Sequence, residues 1–222
     1  MAIIADATKR REKKKNFKSG YVEVLGNIEL SNLITDIHST KISNGTQLEL
    51  ILESKIKESL LIKDLDAFLK TDNHKSGVYL VNKQTLKKSK KFEGRIWVDF
   101  LIIEISNSKK MCYIIELKSG SVLDTGKSES ERYKLGKFQD MLSKKVTYET
   151  SIFIVSFHEK EKDIIKKGFK NKFNINEIMT GIEMCQLLGI NYEEVLLIFE
   201  KEQKENETYV LNKMKQILLD NY

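Results

Sequence analysis

The chain has no proline, two cysteines, three histidines and one tryptophan among its 222 residues. Cys112, in an apolar run, and Cys185, in an apolar helical segment, supply neither a disulfide framework nor a zinc site, and they read as core residues. His38, His74 and His158 are scattered at no metal-ligand or catalytic spacing, which argues against zinc or histidine-based chemistry. No Gly-x-x-x-x-Gly-Lys-Ser/Thr segment exists, and Ser119-Gly120-Ser121 is too small a glycine cluster to cradle phosphates, so an ATP-driven enzyme is disfavoured. No hydrophobic stretch reaches eighteen residues without charges, and Met1 to Asp6 is too short for a secretory signal. A soluble cytoplasmic protein without a membrane partner is expected. Nothing rich in proline, glycine or serine divides the chain, and 41% hydrophobic residues suffice for one substantial core. Residues 1–222 are therefore expected to form a single domain.

Charge is present in excess of one sign, at +6 overall, and it is clustered. Lys9 to Lys18 holds seven basic residues and one acid, and Lys83 to Arg95 holds six and one. Such runs suit a polyanion, although a solvated surface explains either one alone.

Acids also stand where apolar residues are expected. Asp99 interrupts the run Arg95 to Ile103, and a second run, Met111 to Ile115, ends in Glu116-Leu117-Lys118. A carboxylate left unpaired in such surroundings costs several kcal/mol, so repeated acids in one neighbourhood call for a cation. Both runs are rich in β-branched and aromatic residues, and Ser106 to Lys109 reads as the turn of an antiparallel hairpin. With Ile105 facing Lys110, Asp99 falls opposite Glu116, where Cβ atoms are about 4.5–5.5 Å apart. Alternation places Lys118 on the face of Glu116 and Leu117 on the other. These charges sum to minus one, and one further acid makes minus two, a site for a divalent metal. The competing reading is a structural ion pair with Lys118, but one lysine does not neutralise two acids.

The remaining pattern predicts helices over 2–15 and 21–38, a polar turn, and a helix over 47–60 capped by Thr46 with Leu48, Ile51, Leu52 and Ile56 inward. A short helix at 64–70 and a strand at 77–81 precede the hairpin. After it come a helix from Ser128 to Lys144, a strand at 151–156, and helices over 175–189, 191–204 and 206–220. The result is an α/β domain with a mixed sheet flanked by helices.

An acid on one strand followed by Glu-x-Lys at the end of the next resembles the PD-(D/E)xK nuclease superfamily, the core of many type II restriction endonucleases. Val98 stands in place of the proline of that name. Ser39 to Glu49 resembles the serine- and glycine-containing lead into a helix bearing an upstream acid. Lys118 to Glu131 resembles the Lys-x-Gly, Asp-x-(x)-Lys and Glu stretch that follows the catalytic lysine. Together these segments cover about residues 39–145.

The resemblance implies a restriction-endonuclease-like domain with a catalytic core at about 39–160 and a helical C-terminal part at about 175–222. It implies Mg2+ held by Asp99, Glu116 and Glu49, with Lys118 orienting or deprotonating the attacking water or stabilising the transition state. Glu53 lies one helical turn from Glu49, so spacing alone does not separate them, and Asp66 is a further alternative. The context Gly45-x-x-Leu48-Glu49 favours Glu49. Asp124 and Lys127, with Lys87, Lys88, Lys90, Lys91 and Arg95, are candidate DNA contacts. Arg132, Lys134 and Gln139 are so only by position. The implied activity is site-specific cleavage of double-stranded DNA by a homodimer, with a cognate DNA methyltransferase in the same system but without direct contact. A structure-selective or repair nuclease of the same fold and a non-catalytic DNA-binding protein are the alternatives.

Overall fold

A computed structural model describes residues 3–14, 19–71, 73–92 and 96–221, without the side chains of residues 3, 41–44, 46 and 221. The chain divides into two compact units, residues 1–48 with 193–222, and residues 49–192.

The first unit is helical: α1 (Ile3–Glu12), α2 (Val22–Leu25), the leading part of α3 (Ile28–Lys55) and most of α9 (Tyr192–Asn221). Its polar centre is Asp36, which is 2% exposed and accepts hydrogen bonds from Thr8 Oγ1 (2.8 Å) and Arg11 Nε (3.0 Å). Tyr209 donates to Thr8 at 2.9 Å, tying α9 to α1. Arg11, one of the seven cations of the first basic run, is thus spent on a buried partner; Lys15 and Lys18 lie outside the described residues.

Two expected breaks do not occur. The polar turn expected before residue 47 lies inside α3, one helix of 28 residues. Ser39 and Thr40 donate their hydroxyls back to the Asp36 carbonyl, at 3.0 and 2.7 Å, and so satisfy themselves without breaking the helix. The helices expected over 191–204 and 206–220 are one, α9, because no glycine or proline falls between them.

The second unit holds a mixed five-stranded sheet in the order β1-β2-β3-β4-β5. Its strands are β1 (Gly77–Asn82), β2 (Phe100–Ile105), β3 (Lys110–Lys118), β4 (Glu149–Ser156) and β5 (Ile178–Thr180). The first three pair antiparallel and the last two join in parallel. Around them run α4 (Leu65–Phe68), α5 (Lys83–Lys88), α6 (Thr125–Ser143), α7 (Lys162–Gly168) and α8 (Gly181–Leu188). This is the α/β architecture with a mixed, helix-flanked sheet that the sequence predicts. Leu48, Ile51, Leu52 and Ile56 of α3 are buried as expected, and so are both cysteines.

Within 175–189 the expected helix is replaced by a 3-10 turn, β5 and then α8. Ile178, Met179 and Thr180 pair with Ile154, Val155 and Ser156, so sheet extension overrides local helical preference, and a Thr180–Glu183 capping box starts α8. The parallel crossover from β3 to β4 runs through α6, whose Leu135, Phe138 and Leu142 are fully buried in the sheet's apolar cluster. Asp124 caps α6 by accepting from the Lys127 amide at 2.8 Å, which starts the helix three residues before Ser128.

The loop leaving β3 packs against Gly168. A Cβ there would lie 1.8 Å from the Ser121 carbonyl oxygen, whereas one at Gly45 would meet nothing within 4 Å. Gly168→Ala should therefore lower the urea-unfolding free energy by about 1–3 kcal/mol through overpacking. Gly45→Ala should raise it by about 0.5–1 kcal/mol, since alanine suits a helix interior better than glycine. A loss at Gly45 would contradict the continuity of α3.

Candidate active site

The hairpin register matches expectation. Ile105 faces Lys110, and the ladder runs to Phe100 opposite Ile115, so Asp99 and Glu116 come one step beyond the last pair. The Asp99 amide donates to the Ile115 carbonyl at 3.1 Å, and Asp99 Oδ2 accepts from the Leu117 amide at 3.0 Å. Asp99 is 5% exposed and Glu116 3%. Lys118 lies on the side of Glu116, with its Nζ 2.6 Å from Glu116 Oε1.

The expected charge count does not hold, because three further groups enter. Lys83 Nζ sits 2.9 Å from Asp99 Oδ1. Lys134 Nζ lies 2.6 Å from Glu116 Oε2, and Glu131 accepts from Lys118 at 2.7 Å while its other oxygen meets Lys134. With Glu49, four carboxylates face three ammonium groups, a net charge of minus one rather than minus two. Lys134, a candidate DNA contact by position alone, is instead a member of the site.

Sequence reasoning missed these groups for identifiable reasons. Lys83 directly follows Asn82, which pairs with Phe100, so one more step of that ladder sets Lys83 opposite Asp99. The partner of β1 was not assigned from sequence, although its pairing carries the signal. Glu131 closes the stretch after Lys118 that carries the resemblance, and Lys134 is spaced i,i+3 from it on α6, but their approach to β3 depends on the crossover geometry, which local sequence does not set.

Electrostatics follow from this arrangement. Burial, then the Asp99 charge, with a smaller push from Glu116, raises the Glu49 carboxyl from 4.5 to about 7, against the opposing effect of Lys83. Burial and Asp99 likewise raise Glu116, although Lys118 and Lys134 oppose this. Burial disfavours the Lys118 ammonium, but Glu116 and Glu131 outweigh it and raise its pKa, so the lysine stays protonated. Burial pushes Glu131 up, yet hydrogen bonds from Lys118 and Lys134 bring it below its ordinary value.

Glu53 accepts from Asn82 Nδ2 at 2.9 Å and is committed there, whereas Glu49 feels Asp99 and Glu116 directly. Asp66 accepts from Ser89 Oγ and from the Lys90 amide (2.8 Å), a structural role at the end of α5. Among the described residues, no three carboxylate, imidazole or thiol groups converge closely enough to grip an ion in this lysine-paired arrangement. The donor set nonetheless suits a hard divalent cation: the candidates are carboxylate oxygens, two of them deeply buried, and their mutual repulsion raises the protonation of Glu49 and Glu116.

The proposed DNA contacts are dispersed. Lys127 pairs with the cap residue Asp124 at 3.2 Å on the surface. Lys87, Lys88 and Lys90 are exposed and Lys91 is half-buried. Lys88 and Lys90 line a cleft of about 480 Å³ with Lys63 and Lys70. Arg95 lies outside the described residues. Arg132 is paired to Glu177 at 2.7 Å, and Gln139 donates to the Thr150 carbonyl at 2.8 Å, so both serve the fold.

A mixed sheet with paired acids and a lysine at the ends of adjacent strands matches a restriction-endonuclease-like core. The chain is 39% identical over 211 residues to Type II restriction enzyme HhaII from Haemophilus parahaemolyticus, a likeness covering 92% of this chain and 91% of that protein. It belongs to this family of type II restriction enzymes. No protein-family model and no solved structure matches it.

Two measurements probe the site's energetics without metal. Glu49 binds a proton more tightly folded than unfolded, so stability present below about pH 4.5 is lost as pH rises toward about 7. Urea midpoints of Glu49→Gln should therefore exceed wild type at pH 8 and converge with it near pH 4, whereas parallel curves would contradict the assignment. Asp99→Ala should cost about 1–3 kcal/mol by orphaning the Leu117 amide, and Asp99→Asn, which retains an acceptor, should cost less.

Proposed function

We propose that the protein is a magnesium-dependent restriction endonuclease of the PD-(D/E)xK superfamily, hydrolysing phosphodiester bonds at a specific sequence in double-stranded DNA. The observation that carries the activity is the near full-length likeness to a protein named as a type II restriction enzyme. The assignment of residues is supported by the Asp99–Glu116–Lys118 cluster at the hairpin end. A structure-selective nuclease or a non-catalytic DNA-binding protein shares part of this chemistry, but the relative favours neither.

Asp99, Glu116 and Glu49 would hold the ion, with Glu49 preferred to Glu53 because Glu53 is engaged by Asn82. Bound magnesium would polarise the scissile phosphate and acidify a water. Lys118, held cationic by Glu116 and Glu131, is suited to orienting that water and stabilising the pentavalent transition state rather than to removing a proton. Lys87, Lys88, Lys90 and Lys91, with Arg95, Lys127 and Asp124, supply or orient phosphate contacts that carry no sequence information.

In this reading the catalytic core expected at about 39–160 within one nuclease domain falls mainly in the 49–192 unit. Among the described residues, no helix is long and apolar enough to cross a membrane; a cytoplasmic location is part of the proposal. A symmetric recognition site calls for a two-fold homodimer, and a cognate methyltransferase protects host DNA without touching the enzyme.

The test is digestion of long linear duplex DNA with magnesium, followed by sequencing of the ends. Discrete fragments sharing one short site are expected; a smear, or cutting confined to branched substrates, would sink the proposal. Lys118→Ala and Asp99→Asn should abolish cutting while calcium-supported DNA binding persists, and Glu49→Gln should raise the magnesium requirement more than Glu53→Gln. Neutralising Lys87, Lys88, Lys90 and Lys91 together should weaken binding to all DNA and flatten its salt dependence without altering the fragment pattern.

A further inference from the structure

Both oxygens of Glu116 are already taken by the chain's own cations. Lys118 holds Oε1 with a hydrogen bond at 2.6 Å, and Lys134 lies 2.6 Å from Oε2 as an ion pair. The two contacts are unequal, because Oε2 is buried yet receives no hydrogen bond of acceptable direction. Lys134 also has a second partner of the same sign within reach, Glu131 Oε2, three residues back on α6. Glu131 in turn accepts from Lys118 at 2.7 Å, so Lys118, Glu116, Lys134 and Glu131 form a ring of alternating charge.

We propose that Lys134 is a built-in counter-cation that occupies Glu116 until a divalent ion binds and is then retained by Glu131. The inference rests on the reading of Asp99, Glu116 and Glu49 as ion ligands. A carboxylate 3% exposed requires a positive partner at all times, because an uncompensated buried charge is strongly destabilising. Lys118 supplies it at Oε1, and Lys134 supplies it at Oε2 while the site holds only protein groups. Of the two lysines on Glu116, it is the one without a directed hydrogen bond, and so the one more readily displaced. Its ammonium need not travel, since Glu131 already holds it and remains ionised. Retention has a use: with net charge minus one, the site becomes plus one when a divalent ion enters, which matches the single negative charge of a phosphodiester. A Lys134 lost to solvent would weaken that match.

Competition between lysine and ion gives opposite signs in two neighbouring variants, which a merely structural strut does not. The experiment measures Mn2+ binding to the full chain by electron paramagnetic resonance without DNA. Lys134→Met should tighten Mn2+ about five- to tenfold, a coupling in the usual range for two ligands of one group. Glu131→Gln should weaken it, because the lysine is then left with Glu116 alone. Lys134→Arg, whose planar fork grips a carboxylate with two donors, should also weaken it and serves if the methionine variant does not fold. Single-turnover cleavage with magnesium should nevertheless slow in Lys134→Met, so that ion affinity and rate move in opposite directions. Unchanged or weaker Mn2+ binding in Lys134→Met, or tighter binding in Lys134→Arg, overturns the inference. Asp99→Ala separates the two levels: if it abolishes Mn2+ binding, the site reading stands and the Lys134 result judges the inference alone. If Mn2+ binding ignores Asp99→Ala, the ion binds elsewhere and both fall.

Discussion

Two carboxylates buried at the end of a β-hairpin are the constraint around which the second unit is arranged. Asp99 and Glu116 are each at least 95% removed from solvent, where an unpaired charge costs several kcal/mol. Four groups answer that cost: the Leu117 amide and Lys83 on Asp99, and Lys118 and Lys134 on Glu116. A domain stable by only about 5–15 kcal/mol does not keep such an arrangement for stability's sake, since apolar residues of similar volume would serve as well or better. Its persistence is intelligible as preparation for chemistry that uses concentrated negative charge.

Three ordinary features of the fold deliver the groups. Antiparallel register sets Lys83, Asp99 and Glu116 at successive positions across β1, β2 and β3, each one step past the end of a ladder. The parallel crossover then returns α6 over the sheet, anchored by Leu135, Phe138 and Leu142, and this brings Glu131 and Lys134 to Glu116. Finally, the close approach of Gly168 to Ser121 holds the loop that joins β3 to α6. Because the charged ring spans β3 and α6, Lys118 is oriented by the same contacts that neutralise its neighbour.

The hairpin was legible in the sequence because strand alternation, a polar turn and the position of two acids all demanded one register. The opposition of Asp99 and Glu116 followed from it. What was not legible arose from tertiary pairing: β5 exists because β4 offers it an edge, and Lys83, Glu131 and Lys134 enter the site through neighbours distant in sequence. The charge count failed for that reason. The polar stretch before residue 47 misled in another way, since hydroxyls that read as turn formers fold back onto the preceding helical carbonyl.

In the proposed reading, Asp99 and Glu116 together receive a divalent ion. Crystals grown with manganese and examined by anomalous diffraction address it without recourse to activity. An anomalous peak consistent with that reading is expected within about 2.0–2.6 Å of oxygens from both carboxylates, as for hard cations in oxygen sites. A peak elsewhere, or no peak at saturating manganese with Lys83 and Lys134 still seated on Asp99 and Glu116, would contradict it.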